Sequence, residues 1–188
     1  MIFVLEGLPG TGKTTISKKL EEKDGFFRIG EILDGRGAEI EPEASVGRPQ
    51  EFFLNSDILK YSLGKQNSKD KIIIDRGPLS TIAYNMCIDG EDNKKLMRKL
   101  AALSEKYLKN VVYIYVRISP TLSVSRKRKG ITNADMWSFK KNLGKTSRFY
   151  DEALCDKKNV IVVDGSKKIN KVYEEIRSKI NDYLEENQ

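Results

Sequence analysis

Three groups of residues have types and spacings suited to phosphate chemistry. The first is Gly7-Leu8-Pro9-Gly10-Thr11-Gly12-Lys13-Thr14-Thr15, which reads G-x-x-x-x-G-K-T directly after the apolar run Ile2-Phe3-Val4-Leu5. Glycines at 7, 10 and 12 permit dihedrals and close approach that a Cβ would block, so successive N–H groups can converge on phosphate oxygens. The helix expected to begin near Lys13 adds its positive end. Lys13 would reach the β- and γ-phosphates of a nucleotide, and the Thr14 hydroxyl would ligate Mg²⁺. A glycine-rich turn that binds nothing is the bland alternative, and the strand-to-helix setting argues against it.

The second group, Asp75-Arg76, follows Ile72-Ile73-Ile74. Asp75 could hold Mg²⁺ or accept a proton from an attacking hydroxyl, and Arg76 could make bidentate phosphate contacts. Alone, an aspartate there would more simply cap a helix and the arginine form a surface ion pair, but a phosphate loop nearby favours the chemical reading. The third is Glu31, just past another apolar run, with structural and catalytic readings evenly balanced. With no histidine in the chain, any general base must be a carboxylate or come from the substrate.

The elements that must position these groups are five apolar runs, Ile2 to Glu6, Phe26 to Gly30, Lys71 to Asp75, Val111 to Val116 and Val160 to Asp164, separated by helical patterns. The last three are nearly continuous Ile, Val and Tyr, as expected for parallel strands covered on both faces. The expectation is therefore a three-layer α/β/α domain with a five-stranded parallel sheet and ligands at the carboxyl ends of the strands. Helix stripes run through Leu96, Leu100, Leu103 and Tyr107, through Phe139, Leu143, Ser147, Tyr150 and Leu154, and from Ile169 to Leu184. Asp34 to Pro49 is expected as a loop over the sheet edge.

The 188 residues are expected to form one domain, 1–188. No apolar window is long enough to span a membrane, and no basic leader precedes the first strand. Cys87 and Cys155 form no metal or disulfide pattern, so a reduced, cytoplasmic protein is expected. The net charge of +7 suits an anionic partner.

Phe3 to Gly7 with Gly10 to Thr15 resembles the start of thymidylate kinases and related deoxynucleoside kinases, members of the P-loop NTPase fold. Asp75-Arg76 with Ser80, Thr81, Ala83, Tyr84 and Asn85 is similar to the thymidylate kinase pattern D-R-x-x-x-S-S-x-A-Y-Q. Pro120 with Arg126 resembles the approach to that family's lid, and Val162 to Ser166 its adenine-side loop. The resemblance implies a kinase that moves the γ-phosphoryl group of ATP, with Mg²⁺, to a nucleoside monophosphate or a nucleoside. It implies a donor site over residues 7–15 with Arg126, Gly165 and Ser166, and phosphate-orienting roles for Lys13, Arg76 and Arg126. Thr14 and Asp75 would serve the metal, and Arg48, Phe52, Asn55, Arg76, Ser80 and Asn85 the acceptor.

Three places depart from that pattern. Pro9 stands where an aspartate is usual, Gly30-Glu31-Ile32-Leu33 replaces R-E-P-G, and Ile58 occupies the place of an arginine on the acceptor-phosphate helix. Arg36, Arg48 or Lys60 could restore that charge. Glu31 stands about where deoxynucleoside kinases carry their general base, which favours a hydroxyl acceptor.

The basic run from Arg126 to Lys129 reads as a lid over residues 126–135 that neutralises charge and excludes water. A nucleic-acid patch continuing through Lys140, Lys141, Lys145 and Arg148, with Trp137 and Phe139 to stack on bases, is the rival. Polynucleotide 5′-end phosphorylation and a nucleotide switch built on Asp34-Gly35-Arg36-Gly37 are thus the alternatives to a small-molecule kinase. The helix around Leu96 and Leu103 could pair subunits in a homodimer.

Overall fold

In a computed structural model of the chain, residues 1–45, 47–87, 91–127 and 139–187 are described. The apolar runs become five strands, β1 (Ile2–Glu6), β2 (Phe27–Ile29), β3 (Ile72–Asp75), β4 (Val112–Arg117) and β5 (Val160–Asp164). All pair in parallel in the order β2-β3-β1-β4-β5. Between them run α1 (Lys13–Asp24), α2 (Gln50–Gln66), α3 (Pro78–Asn85), α4 (Glu91–Asn110), α5 (Pro120–Lys127), α6 (Lys140–Leu154) and α7 (Ile169–Glu186).

Strand alternation sends Ile2 and Val4 to one face of β1 and Phe3 and Leu5 to the other, and both faces are dry. On the first face, Leu54 and Tyr61 of α2, Leu79 and Ile82 of α3, Leu100 of α4 and Leu143, Tyr150 and Leu154 of α6 close one core. On the second, Ile16 and Leu20 of α1 and Val172, Tyr173, Ile176 and Ile180 of α7 close another. This is the three-layer architecture that continuous apolar strands require.

Edge strand β2 is shorter than its sequence run, because Glu39 packs over Gly30 and pairs with Arg28, giving the edge a charged cover. The loop over residues 34–49 turns at Asp34, whose carboxylate accepts the N–H groups of Arg36 and Ala38. That turn accounts for Asp34-Gly35-Arg36-Gly37 without a nucleotide. Leu96 is buried and Leu103 packs against the same core, so the stripe proposed for subunit pairing is used within the chain. The Tyr107 side chain, Trp137 and lid positions 128–135 lie outside the described residues. Among the described residues no helix is long and apolar enough to cross a membrane.

Candidate active site

The loop between β1 and α1 takes its shape from its glycines. Gly7, Gly10 and Gly12 adopt φ of 141°, 77° and 86°, values that L side chains rarely reach. A methyl at Gly7 would also overlap the Val116 carbonyl of β4, and one at Gly12 the side chain of Ile169 on α7. Lys13 opens α1 and its buried ammonium donates to Gly7 O (3.0 Å), Leu8 O (2.8 Å) and Thr11 Oγ1 (2.9 Å). Burial, reinforced by the positive Arg76, pulls its pKa down to about 7. Such a desolvated cation favours an anion in the cradle. Pro9 presents its carbonyl to the buried Ser123 hydroxyl of α5 at 2.7 Å, which ties the loop to the root of the expected lid.

The ends of β2 and β3 bring Glu31, Asp75 and Arg76 beside that cradle. Arg76 Nε lies 2.7 Å from Glu31 Oε1, and its Nη1 donates to Gly7 O (3.1 Å) and Ser80 Oγ (3.0 Å). Burial works to raise the Glu31 pKa, but Arg76, Lys13 and Lys60 outweigh it and hold the carboxyl below its usual range. Glu31 is therefore ionised at neutral pH. Asp75 shows the opposite shift. Burial and then the Glu31 charge push its pKa up, against the Thr14 hydroxyl, Lys13 and Arg76.

Behind Arg76 lies a buried polar network. Glu6 accepts the Gly77 N–H (3.0 Å), the Ser80 hydroxyl (2.5 Å) and the Tyr150 hydroxyl (3.1 Å). This corrects the expectation that Ser80 faces the acceptor: its hydroxyl is held between Glu6, Arg76 and Tyr150. Asn85 is likewise buried, donating to Gln50 Oε1 (3.0 Å) and Thr81 O (2.7 Å), so it joins α3 to α2. Of the other acceptor candidates, Arg48 lies over the Phe52 ring at 5.1 Å and Asn55 is exposed on α2.

The three residues that could replace the arginine missing at Ile58 are separated by their surroundings. Arg36 is 89% exposed and pairs with Asp34. Lys60 is buried, with all three of its donors taken by Asp57 Oδ1 (2.8 Å), Glu31 O (2.9 Å) and Arg76 O (3.0 Å). It has no donor to spare for an acceptor phosphate. Arg48 is left at the start of α2.

Arg126 reaches back from α5 and donates to Gly165 O (2.7 Å) and Ser166 O (2.9 Å), with Gly10 O at 3.4 Å. The fold thus brings together Arg126, Gly165, Ser166 and the loop. With Gly165 and Ser166 outside its lining, a cavity of about 360 Å³ is bordered by Arg126 and the loop residues Gly10, Thr11, Gly12 and Thr15, and lined also by Lys167, Lys168, Ile169 and Val172. These four residues were not evident from the sequence, where they appear as the start of an ordinary amphipathic helix.

Mg²⁺ fits the residues at the front of the cradle. Both oxygens of Asp75 are buried without a hydrogen-bond partner, a costly arrangement for a carboxylate unless a cation arrives. Thr14 and Asp75 could hold the ion while it keeps several waters and phosphate oxygens as further ligands.

A parallel α/β sheet with this loop, a buried lysine and a carboxylate–arginine pair at the neighbouring strand ends defines a P-loop phosphotransferase. The thymidylate kinase family model matches residues 40–176, and the chain belongs to that family. It is a nucleotide or nucleoside kinase that uses ATP as phosphoryl donor. It is similar to thymidylate kinase of Leptospira interrogans, with 26% identity over 190 residues covering 93% of this chain and 91% of the relative. Its fold resembles that of deoxyadenosine kinase from M. mycoides with bound dATP, at a TM-score of 0.67 and 21% identity over 96% of this chain and 100% of the other. A second structure of that kinase, with dCMP and dCDP bound, gives a TM-score of 0.63 at 20% identity over 97% and 100%.

Proposed function

We propose that the chain transfers the γ-phosphoryl group of ATP to a hydroxyl of a nucleoside, with Glu31 as general base. The observation that carries this reading is an ionised Glu31 paired with Arg76 beside the phosphate cradle, while Lys60 and Arg36 are spent on internal partners and Ile58 brings no charge. A site built for an acceptor phosphate needs a free cation; a site built for a hydroxyl needs a base.

In this reading Lys13 leaves the Gly7 and Leu8 carbonyls for the β- and γ-phosphates, and the loop N–H groups hold the phosphate chain. Arg126 and the residue 165–169 segment border the adenine. Mg²⁺, held by Thr14 and Asp75, would offset charge on the phosphates. Glu31 takes the proton of the acceptor hydroxyl as its oxygen bonds to the γ-phosphorus and the bond to ADP breaks. Arg76 orients the transferring group and keeps Glu31 ionised.

A monophosphate acceptor is the second reading. The thymidylate kinase relative favours it, and Arg48 at the head of α2 could supply its charge. A panel of nucleosides, nucleoside monophosphates and 5′-hydroxyl oligonucleotides, assayed by ADP release with ATP and Mg²⁺, separates the readings. Turnover with a nucleoside is expected. Turnover with monophosphates alone would overturn the base role of Glu31, and turnover with oligonucleotides alone would transfer substrate binding to exposed Lys140, Lys141, Lys145 and Arg148.

A further inference from the structure

Parallel strands β2 and β3 pair in register through Ile29 and Ile74, and there the ladder stops. Glu31 and Arg76 each lie two residues past that last pair, where the backbone carries the groups of the cradle but the β2–β3 ladder no longer joins the two strands. The Arg76 backbone is also unusual. Its φ is 63°, in the left-handed region that a residue with a long side chain rarely occupies without outside support.

The buried Lys60 ammonium bridges this gap. It donates to the carbonyl of Glu31 at 2.9 Å and to that of Arg76 at 3.0 Å, joining the two chains where the next rung of the ladder would fall. The Arg76 N–H donates to Leu5 O at 3.0 Å, so the left-handed residue is gripped on both sides. A lone buried ammonium is disfavoured. Here Asp57 Oδ1 accepts the third donor at 2.8 Å, and Asp57 Oδ2 in turn accepts the Thr81 hydroxyl of α3 at 2.8 Å. The whole clamp therefore hangs on α2 and α3, which flank the acceptor side.

We propose that Lys60 is a positioning residue for phosphoryl transfer, fixing through one buried ammonium the backbone from which both Glu31 and Arg76 reach the reacting groups. It touches neither substrate. Its effect passes through the geometry of the Glu31–Arg76 pair, and the inference rests on the phosphotransfer reading above.

The test compares wild type with Lys60→Met, Lys60→Arg and the double variant Asp57→Asn/Lys60→Met, which removes the buried charge that Lys60→Met alone would strand. Melting temperature, kcat and the KM for ATP are measured for each with the acceptor found in the panel. The double variant is expected to fold and to lose kcat by on the order of 100-fold, the scale of a displacement of about 1 Å, with the KM for ATP little changed. Lys60→Arg, which keeps the charge and donors, should recover part of that loss. A folded double variant with wild-type kcat overturns the proposal, as does a rise in KM with kcat preserved, or failure of both Lys60→Met variants to fold. Silence of the wild type across the whole panel would instead sink the phosphotransfer reading, and the positioning role with it.

Discussion

Arg76 Nε and Glu31 Oε1 stand 2.7 Å apart across the diverging ends of β3 and β2, so the arginine and the acid lend each other charge. Glu31→Gln should therefore lower turnover on a hydroxyl acceptor by on the order of 10²- to 10⁴-fold, the usual worth of a positioned base. The KM for ATP should change little. Steady-state kinetics check this, and near-normal kcat in the folded variant would remove Glu31 from the mechanism.

The pH dependence follows from the depressed pKa of Glu31. At saturating ATP, where the bound phosphates keep Lys13 charged, the wild-type kcat should stay flat from pH 8 down to pH 6 and fall only when the medium reaches the acid side of the ordinary glutamate range. The stability that Glu31 contributes has the same sign: present above its unfolded pKa and lost as pH falls through the lower folded value. An acidic limb near neutrality would contradict the assignment.

Lys13 makes a prediction of opposite character. Its pKa of about 7 in the nucleotide-free fold lies below the ordinary lysine value, so the unfolded chain binds more protons between the two. Stability should rise with pH through that window. Between pH 7 and 9 the Lys13 contribution is on the order of 2 kcal/mol, and Lys13→Met should flatten the rise. Denaturant titrations of both proteins without nucleotide test it. Equal slopes would mean that the ammonium is better solvated than its three carbonyl and hydroxyl partners imply.

Asp75→Asn should separate stability from activity. Its unpartnered, buried carboxylate has a raised pKa, so ionisation costs stability as pH rises, and the neutral amide relieves that cost. We expect the nucleotide-free variant to be more stable by about 1 kcal/mol, a few degrees in melting temperature, while turnover falls and loses its response to Mg²⁺. A less stable variant with an intact Mg²⁺ titration would refute the metal role.

Two glycines make a contrasting pair. Gly7→Ala combines φ of 141° with an overlap against the Val116 carbonyl, backbone that cannot step aside, and should destabilise by several kcal/mol. Gly144 lies inside α6 with open space around it, and Gly144→Ala should stabilise by about 0.5–1 kcal/mol. Thermal melts decide both.

The sheet was legible because Ile72-Ile73-Ile74 and Val112 to Val116 admit little else than a strand buried on both faces. The loop was legible because phosphate binding demands glycine, lysine and threonine at fixed offsets. Lys60 was visible only as a spare charge, since nothing in its neighbours on α2 tells that it points between two strand ends. Ser80 carried a family expectation that its bonds to Glu6 and Tyr150 displace, and those partners lie 74 and 70 residues away in the chain. Local patterns reveal which backbone a residue joins; long-range partners decide whether its polar atoms remain available.

The Ile169 side chain resting against Gly12 joins the two ends of the chain in one cavity, and this has a consequence for biosynthesis. During translation the phosphate loop leaves the ribosome before the far wall of that cavity, Lys167 to Val172, which follows only after roughly another 150 residues. The nascent protein must therefore hold its glycine-rich loop without help from nucleotide until that wall emerges. ATP bound between both walls can stabilise the fold only once that segment has emerged, so a product terminated before it lacks that support.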